Sequence, residues 1–170
     1  MLGLTKFDTN YILIDKVYTN LLFGGYTMQL TNFQVLNVMQ ALGTVSQQKL
    51  PVKLAWKVTT AVRALEPFAK AVDEPLKEIR TKYANRDHLG NFVEALDKDG
   101  NPIPNTITIP SDKIEVVNKE MDELLTQTVE VSNVSLQLSD FPETMELEPA
   151  VLTALLPIIK EEENELKLVP

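Results

Sequence analysis

Residues that commonly carry out chemistry are scarce in this sequence. His88 is its only histidine, and it has no cysteine. The absence of thiols excludes disulfides, thiolate metal ligands, a cysteine nucleophile and a thiol redox switch. His88 could act as a general base, but it follows a basic helical segment, and a solvated imidazole is favoured near a helix C-terminus. Because zinc sites need several histidine or cysteine ligands, this lone histidine predicts neither a zinc site nor a catalytic base.

The segment Asp97–Asn101 superficially resembles the start of a calcium-binding loop. An EF-hand needs glycine at loop position 6 and glutamate at position 12, but counting from Asp97 these positions hold Pro102 and Thr108. A hairpin turn explains the same residues. The sequence also lacks a glycine-rich phosphate loop and a G-x-S-x-G nucleophile motif. It therefore predicts no catalytic residue, no cofactor and no metal site, and a protein that is not an enzyme.

Binding is the better-motivated chemistry, and its candidate residues are Trp56, Arg63, Lys70 and Lys77. Residues 49–86 hold nine basic and four acidic side chains, a net charge of +5. Arg63, Lys70 and Lys77 are seven residues apart, which places them on one polar face of a predicted helix. Trp56 lies nearby, and packing at the rim of the apolar face is its simpler interpretation. A role of these four residues in contacts with a partner is the alternative.

The opposite charge is concentrated near the other end of the sequence. Residues 111–170 hold four basic and fourteen acidic side chains, a net charge of −10. The basic and acidic segments could attract each other or be solvated, which is the usual outcome for charge runs, or they could be two binding faces of opposite sign. The net charge of −8 and the acids within the basic segment weigh against nucleic acid as a partner. No apolar run is long enough to span a membrane, and we identify no secretion signal.

One long helix over residues 51–86 would carry the binding residues. Eight apolar side chains recur at alternating spacings of four and three residues, a seven-residue repeat typical of helix packing: Val58, Val62, Leu65, Ala69, Val72, Leu76, Ile79 and Tyr83. We call these the seam. Pro67 and Pro75 lie within it, and each could end the helix. Because the apolar phase passes both prolines without a slip, one kinked helix is favoured over a helical hairpin.

Shorter elements flank this helix. A strand at Met28–Leu30 precedes a helix that Thr31 and Gln34 would open with a capping box and that Gly43 would end. Residues 90–110 read as a β-hairpin, with strands at 92–96 and 106–109.

Further along the chain, an amphipathic helix from Ser111 or Asp112 is followed by two alternating segments, 129–131 and 134–138, separated by a bulge or tight turn at Ser132-Asn133. A short apolar helix follows Glu148-Pro149. We recognise no internal repeat.

The predicted fold class is therefore α+β, with a long kinked amphipathic helix and two or three shorter helices packed on a small antiparallel sheet. Residues 28–160 form the predicted single domain, and 161–170 an acidic tail. Residues 1–27 are a possible leader or N-terminal extension. Gly24-Gly25 just before Met28 is compatible with a ribosome-binding codon pair ahead of a natural start, but equally with a turn. The same region contains a strand-like run at 11–14 and a helix-like apolar spacing from Phe7 to Leu21.

Several segments together resemble a family of short uncharacterised proteins from tailed bacteriophages and prophages of Gram-positive bacteria. They are residues 49–53, the end of the long helix at 82–84, the turn at 99–102, and 129–131 with the acidic, leucine-rich end. The resemblance covers roughly 28–160 and leaves 1–27 outside. These motifs belong to the scaffold, so no functional residue is carried over.

The resemblance implies a bacteriophage protein in the host cytoplasm or the virion. With no predicted active site, we expect a non-enzymatic protein that acts through protein–protein contacts, either virion-associated or an assembly component, as an oligomer through the seam. The alternative is a phage-encoded inhibitor of a host enzyme or anti-phage defence system, whose acidic C-terminal part competes for a basic groove. A phage structural protein or a host protein would then be the partner.

Overall fold

A computed structural model describes residues 27–160 of the chain. The possible leader, apart from Thr27, and the acidic tail at 161–170 lie outside the described residues, as do the expectations for residues 7–21. Four α-helices, two pairs of short strands and three turns of 3-10 helix make up the described part. No helix among residues 27–160 is both long enough and apolar enough to cross a membrane.

A two-stranded antiparallel sheet pairs the start of the described chain with a segment about a hundred residues later. Strand β1 (Thr27–Thr31) pairs with β2 (Thr128–Ser132), with Thr27 opposite Ser132 and Thr31 opposite Thr128. Leu30 and Val131 point into the core and are buried. The strand predicted at Met28–Leu30 is confirmed. Its partner, about a hundred residues away, could not be named from the sequence.

Helix α1 (Asn32–Ser46) begins as predicted and ends later. The Gln34 N–H donates to Thr31 Oγ1 at 3.1 Å, and the Thr31 N–H donates to Gln34 Oε1 at 2.8 Å, which completes the capping box. The predicted stop at Gly43 is wrong, because the helix continues to Ser46. A glycine inside a helix costs only about 1 kcal/mol, and the extra turn buries Val45 completely, which is worth about as much or more.

Helix α2 (Val52–Tyr83) is a single helix of 32 residues with Pro67 and Pro75 inside it. The single helix is confirmed, and the helical hairpin is wrong. At 1.5 Å per residue α2 is about 48 Å long. Each proline costs about 3 kcal/mol, but burial of an apolar face along the whole helix outweighs this cost. The buried residues of α2 are Leu54, Val58, Ala61, Leu65, Ala69, Val72 and Leu76.

The seam is covered by other parts of the same chain. Up to Ala69 it belongs to the main core, which also contains buried residues of α1, of both strand pairs and of α4 (Pro149–Leu155). Beyond Ala69, Val72 and Leu76 are buried where α3 (Ile114–Leu125), entered through a 3-10 turn at Ser111–Lys113, packs on α2 and buries Val117. Because the seam is occupied within the chain, an oligomer would have to use another surface.

A second pair of strands also contributes to the core, through Leu136 and Ile159. After β2 the chain turns at Asn133, whose φ of 62° confirms the tight turn predicted at Ser132-Asn133. Strand β3 (Leu136–Gln137) then pairs in parallel with β4 (Ile159–Lys160), and a 3-10 turn (Leu138–Asp140) follows β3 directly. With three shorter helices and a small antiparallel sheet beside the long helix, the predicted α+β class is confirmed.

The connection at 84–110 differs from its prediction. The turn at Asp97–Asn101 is confirmed, but the strands predicted at 92–96 and 106–109 are wrong, because only two isolated bridges form, Arg86 with Phe92 and Leu96 with Pro102. Two copies of one turn account for this, Asp87–Asn91 and Asp97–Asn101. Their shared pattern D-x-x-G-N, ten residues apart, is an internal repeat that sequence inspection missed.

Both turns are held by their aspartate in the same way. Oδ1 of the aspartate accepts the N–H groups two and four residues later at 2.8 to 2.9 Å. The glycine adopts a positive φ, 87° at Gly90 and 83° at Gly100, a conformation that glycine accepts without strain. These side-chain bonds replace the strand ladder that an extended hairpin would need.

Candidate interaction surface

Helix α2 presents the four predicted binding residues on one exposed line. Trp56, Arg63, Lys70 and Lys77 are all exposed and lie opposite the buried residues of the same helix. Seven residues fall only about 20° short of two full turns, so each side chain lies nearly above the previous one, about 10.5 Å along the axis. The four residues therefore line up along the helix and do not converge on a point. We name these residues, together with Val52, the outer stripe.

Trp56 is a surface residue. Its side chain is 71% exposed, and Val52, one turn earlier, is 87% exposed. The interpretation of Trp56 as a packing residue at the rim of the seam is therefore wrong. Val52 was not singled out from the sequence, although its position four residues before Trp56 and outside the seam phase is a usable signal. Together they form an apolar end to the outer stripe.

The basic residues of the outer stripe are only lightly engaged. Lys70 Nζ lies 2.6 Å from Glu66 Oε1 in an exposed pair one helical turn long. The hydrogen bond and charge of Lys70 hold the pKa of Glu66 below its usual value. Within residues 27–160, Arg63 and Lys77 form no ion pair. Their charges are therefore available to an external anionic group.

A buried carboxylate fixes the first turns of α2 to the strand pair β3–β4. Only 1% of the Asp140 side chain is exposed. Both of its oxygens accept hydrogen bonds from Lys57 Nζ, at 2.6 and 2.5 Å, and Oδ2 also accepts the Gln137 N–H at 2.9 Å. Lys53 Nζ lies 3.7 Å from Oδ1. Burial alone would raise the pKa of Asp140, but the Lys57 and Gln137 hydrogen bonds and the two lysine charges outweigh it and hold the pKa below its usual value.

Contacts between the basic and acidic segments are part of the fold. Besides the pairing of Lys53 and Lys57 with Asp140, Lys82 Nζ lies 2.8 Å from Glu120 Oε1, which also accepts the Tyr83 hydroxyl at 2.7 Å. The hydrogen bonds with Glu120 and Tyr83 raise the pKa of Lys82 to about 12. The interpretation that the two segments attract each other is therefore confirmed for these pairs. Lys53, 79% exposed, keeps most of its surface free for further contacts.

The turn residues considered for chemistry, His88 and Asp97, lie in the two D-x-x-G-N turns. His88 is exposed at the tip of the first turn. Hydrogen bonds from the Asn101 N–H and side chain, and from the Asp99 N–H, lower the pKa of Asp97. Its carboxylate is therefore already used in holding the turn. Within residues 27–160, no group of three or more histidine, cysteine or carboxylate side chains could hold a metal ion.

A groove of about 710 Å³ lies between α1 and α4. Its walls combine apolar residues such as Phe33, Val151 and Ala154 with the amides of Asn37 and Gln40. Glu148 is the only ionisable residue that lines it, so it offers no pair of groups for acid–base chemistry.

No protein-family model matches the sequence, and no curated protein and no solved structure matches it significantly. The resemblance to a phage family remains a prediction from the sequence.

Proposed function

We propose that this chain is a non-enzymatic bacteriophage protein that binds another protein through the outer stripe of α2, as a virion-associated or assembly component. The observation that carries the proposal is the exposure of Trp56 and Val52 on a rigid helix that is anchored on its opposite face. The phage setting rests on the resemblance of residues 28–160.

The composition of the outer stripe is typical of a protein-binding surface. Tryptophan and arginine, with tyrosine, are the residues most enriched among those that dominate binding energy. A preformed helix loses little conformational freedom on binding. Trp56 and Val52 would fill an apolar pocket of the partner, and Arg63 and Lys77 would meet acidic groups beside it. The partner surface is therefore apolar at one end and acidic along about 21 Å of helix, the distance from Arg63 to Lys77.

Capture from phage-infected cells tests this proposal. The tagged full chain is compared with Trp56→Asp and Arg63→Glu, and with Glu78→Lys, an exposed residue of α2 outside the outer stripe. We expect one partner, a phage structural protein, to be lost with the first two variants and retained with Glu78→Lys. Equal recovery with all variants would overturn the proposal. Stripe-dependent recovery of a host enzyme or defence protein would replace the assembly role with the inhibitor role.

A further inference from the structure

The groove between α1 and α4 lies on a face of the molecule that is almost free of charge. None of the fifteen residues of α1 and none of the seven residues of α4 is ionisable, although 24% of the chain is charged. Glu148 is the only ionisable residue that lines the groove. Because charged residues are depleted at the centre of protein interfaces, the composition of this face indicates a contact with another protein.

We infer that a second copy of this chain occupies the groove, so that two copies form a symmetric dimer through α1 and α4. The inference goes beyond the proposed function, because the groove and the outer stripe share no residue. It also gives an oligomer a surface other than the seam, which is covered within the chain.

Charge is the first reason to assign the groove to a second copy. Each chain carries a net charge of −8, so two copies repel each other over most of their surfaces. They can approach each other most closely where both present a neutral face, and the groove is such a face. A basic partner would instead need several carboxylates to bind, and the groove offers only Glu148.

The shape of the face is the second reason. On the α1 side the groove is lined by Phe33, Asn37, Gln40 and Thr44, whose spacings of four, three and four residues form one line about 17 Å long. Phe33 is 54% exposed at one end of this line. A two-fold axis at its middle makes the two α1 helices antiparallel. Phe33 of each copy then enters the opposite end of the other copy's groove, so one contact fills both grooves.

The amides in the middle of the line suit the same arrangement. Asn37 and Gln40 lie on either side of the proposed axis, so Asn37 of each copy faces Gln40 of the other. A side-chain amide both donates and accepts hydrogen bonds. Two identical surfaces can therefore pair through these amides without a separate set of donors on one side.

The single carboxylate of the groove stays away from its copy. Gln48 Nε2, just beyond α1, donates to the Glu146 carbonyl at 3.3 Å, which places Glu148 at the Thr44 end of the groove. In an antiparallel dimer the two Glu148 side chains lie at opposite ends, farther apart than the screening length of about 8 Å at physiological salt. Lys49 and Glu146 line a separate pocket beyond α1.

The size of the face predicts a weak dimer. Helix α1 is about 22 Å long, and two packed helices together are about 20 Å wide. The face therefore contributes at most roughly 400 Å² from each copy, whereas stable specific interfaces bury about 800 Å² per partner. We expect a transient dimer with a dissociation constant in the micromolar range or weaker.

Sedimentation velocity at increasing protein concentration tests the inference on the full chain, on Phe33→Asp and on Gln40→Lys. Both substitutions are at exposed positions. Phe33 lies in the first turn of α1, where an acid favours the helix dipole, and lysine forms helix about as well as glutamine. Both variants should therefore keep the helical content of the full chain, which circular dichroism checks. Gln29→Lys, at an exposed glutamine of β1 outside the groove, is the matched control.

We expect the average mass of the full chain and of Gln29→Lys to rise with concentration toward that of a dimer. Phe33→Asp and Gln40→Lys should each raise the dissociation constant about tenfold or more, and Gln40→Glu should do the same. An equal mixture of Gln40→Lys and Gln40→Glu should associate again, because opposite charges then meet beside the two-fold axis.

Three results would overturn the inference. The first is a full chain that stays monomeric up to about 1 mM. The second is self-association that the Phe33 and Gln40 variants leave unchanged. The third is a mixture of the two Gln40 variants that associates no more than either variant alone, because the contact would then not be two-fold symmetric.

The same variants separate this inference from the proposed function. Trp56→Asp should lose the captured partner and still dimerise, whereas Phe33→Asp should lose the dimer and keep the partner. If the dimer behaves as expected while Trp56→Asp captures as much partner as the full chain, only the proposed function fails. If the full chain is monomeric and Phe33→Asp loses a captured partner, the groove binds that partner and the dimer is excluded.

Discussion

Asp140 holds the first turns of α2 through a buried ion pair with Lys57. A carboxylate that is 1% exposed is costly to bury unless its charge is compensated, and here Lys57, Lys53 and the Gln137 N–H compensate it. This contact joins the basic helix to the strand pair from which the acidic tail continues. Neither residue of the central pair was singled out from the sequence, because 83 residues separate them.

Asp140→Asn should lower the free energy of unfolding by about 3–5 kcal/mol near neutral pH, because it leaves Lys57 partly buried without its counter-charge. Urea denaturation of the two proteins measures this difference. Glu66→Gln, in the exposed pair with Lys70, is the matched control and should leave stability nearly unchanged, since exposed pairs contribute little.

The pH dependence of the Asp140→Asn effect has a defined sign. The pKa of Asp140 is lower in the folded protein than its usual 3.8, so the stabilisation is complete above that value and is lost as the pH falls through the lowered pKa. The difference between wild type and Asp140→Asn should therefore shrink below about pH 3.8. A difference that stays constant down to acid unfolding would contradict the proposed role of the ion pair.

At the scale of elements, the long helix was predictable and the connection at 84–110 was not. An apolar repeat sustained in phase over eight positions has few structural solutions, so the seam located α2 despite Pro67 and Pro75. In the connection, the apolar and β-branched runs on either side of the Asp97–Asn101 turn predicted strands. The two D-x-x-G-N turns instead satisfy their own backbone groups through Asp87 and Asp97, an outcome that periodicity does not detect.

Pro67→Ala should raise the free energy of unfolding by about 1–3 kcal/mol. Alanine restores a backbone donor at an exposed position of α2, and this gain exceeds the added freedom of the unfolded chain. Thr59→Ala, also exposed in α2, is the control and should change stability by no more than about 0.5 kcal/mol. A loss of stability in Pro67→Ala would instead show that the packing of α2 on α1 and α3 requires the local geometry that proline imposes.

At the scale of the whole molecule, the sequence indicated which residues are exposed on α2 but not how the chain surrounds it. Spacing alone placed Arg63, Lys70 and Lys77 on one face, and the structure adds Trp56 and Val52 to the same line. The strand partners of β1 and the parallel pair β3–β4 depend on long-range packing. A single sequence does not encode such contacts in any local pattern.

The central claim is that α2 has one face that builds the fold and one face that is free for binding. Unfolding of Trp56→Ala and Leu65→Ala in guanidinium chloride tests it most directly. We predict that Leu65→Ala lowers the free energy of unfolding by about 2–5 kcal/mol, whereas Trp56→Ala changes it by about 0.5 kcal/mol or less. A loss in Trp56→Ala comparable to that in Leu65→Ala would show that Trp56 is a packing residue and would contradict the account.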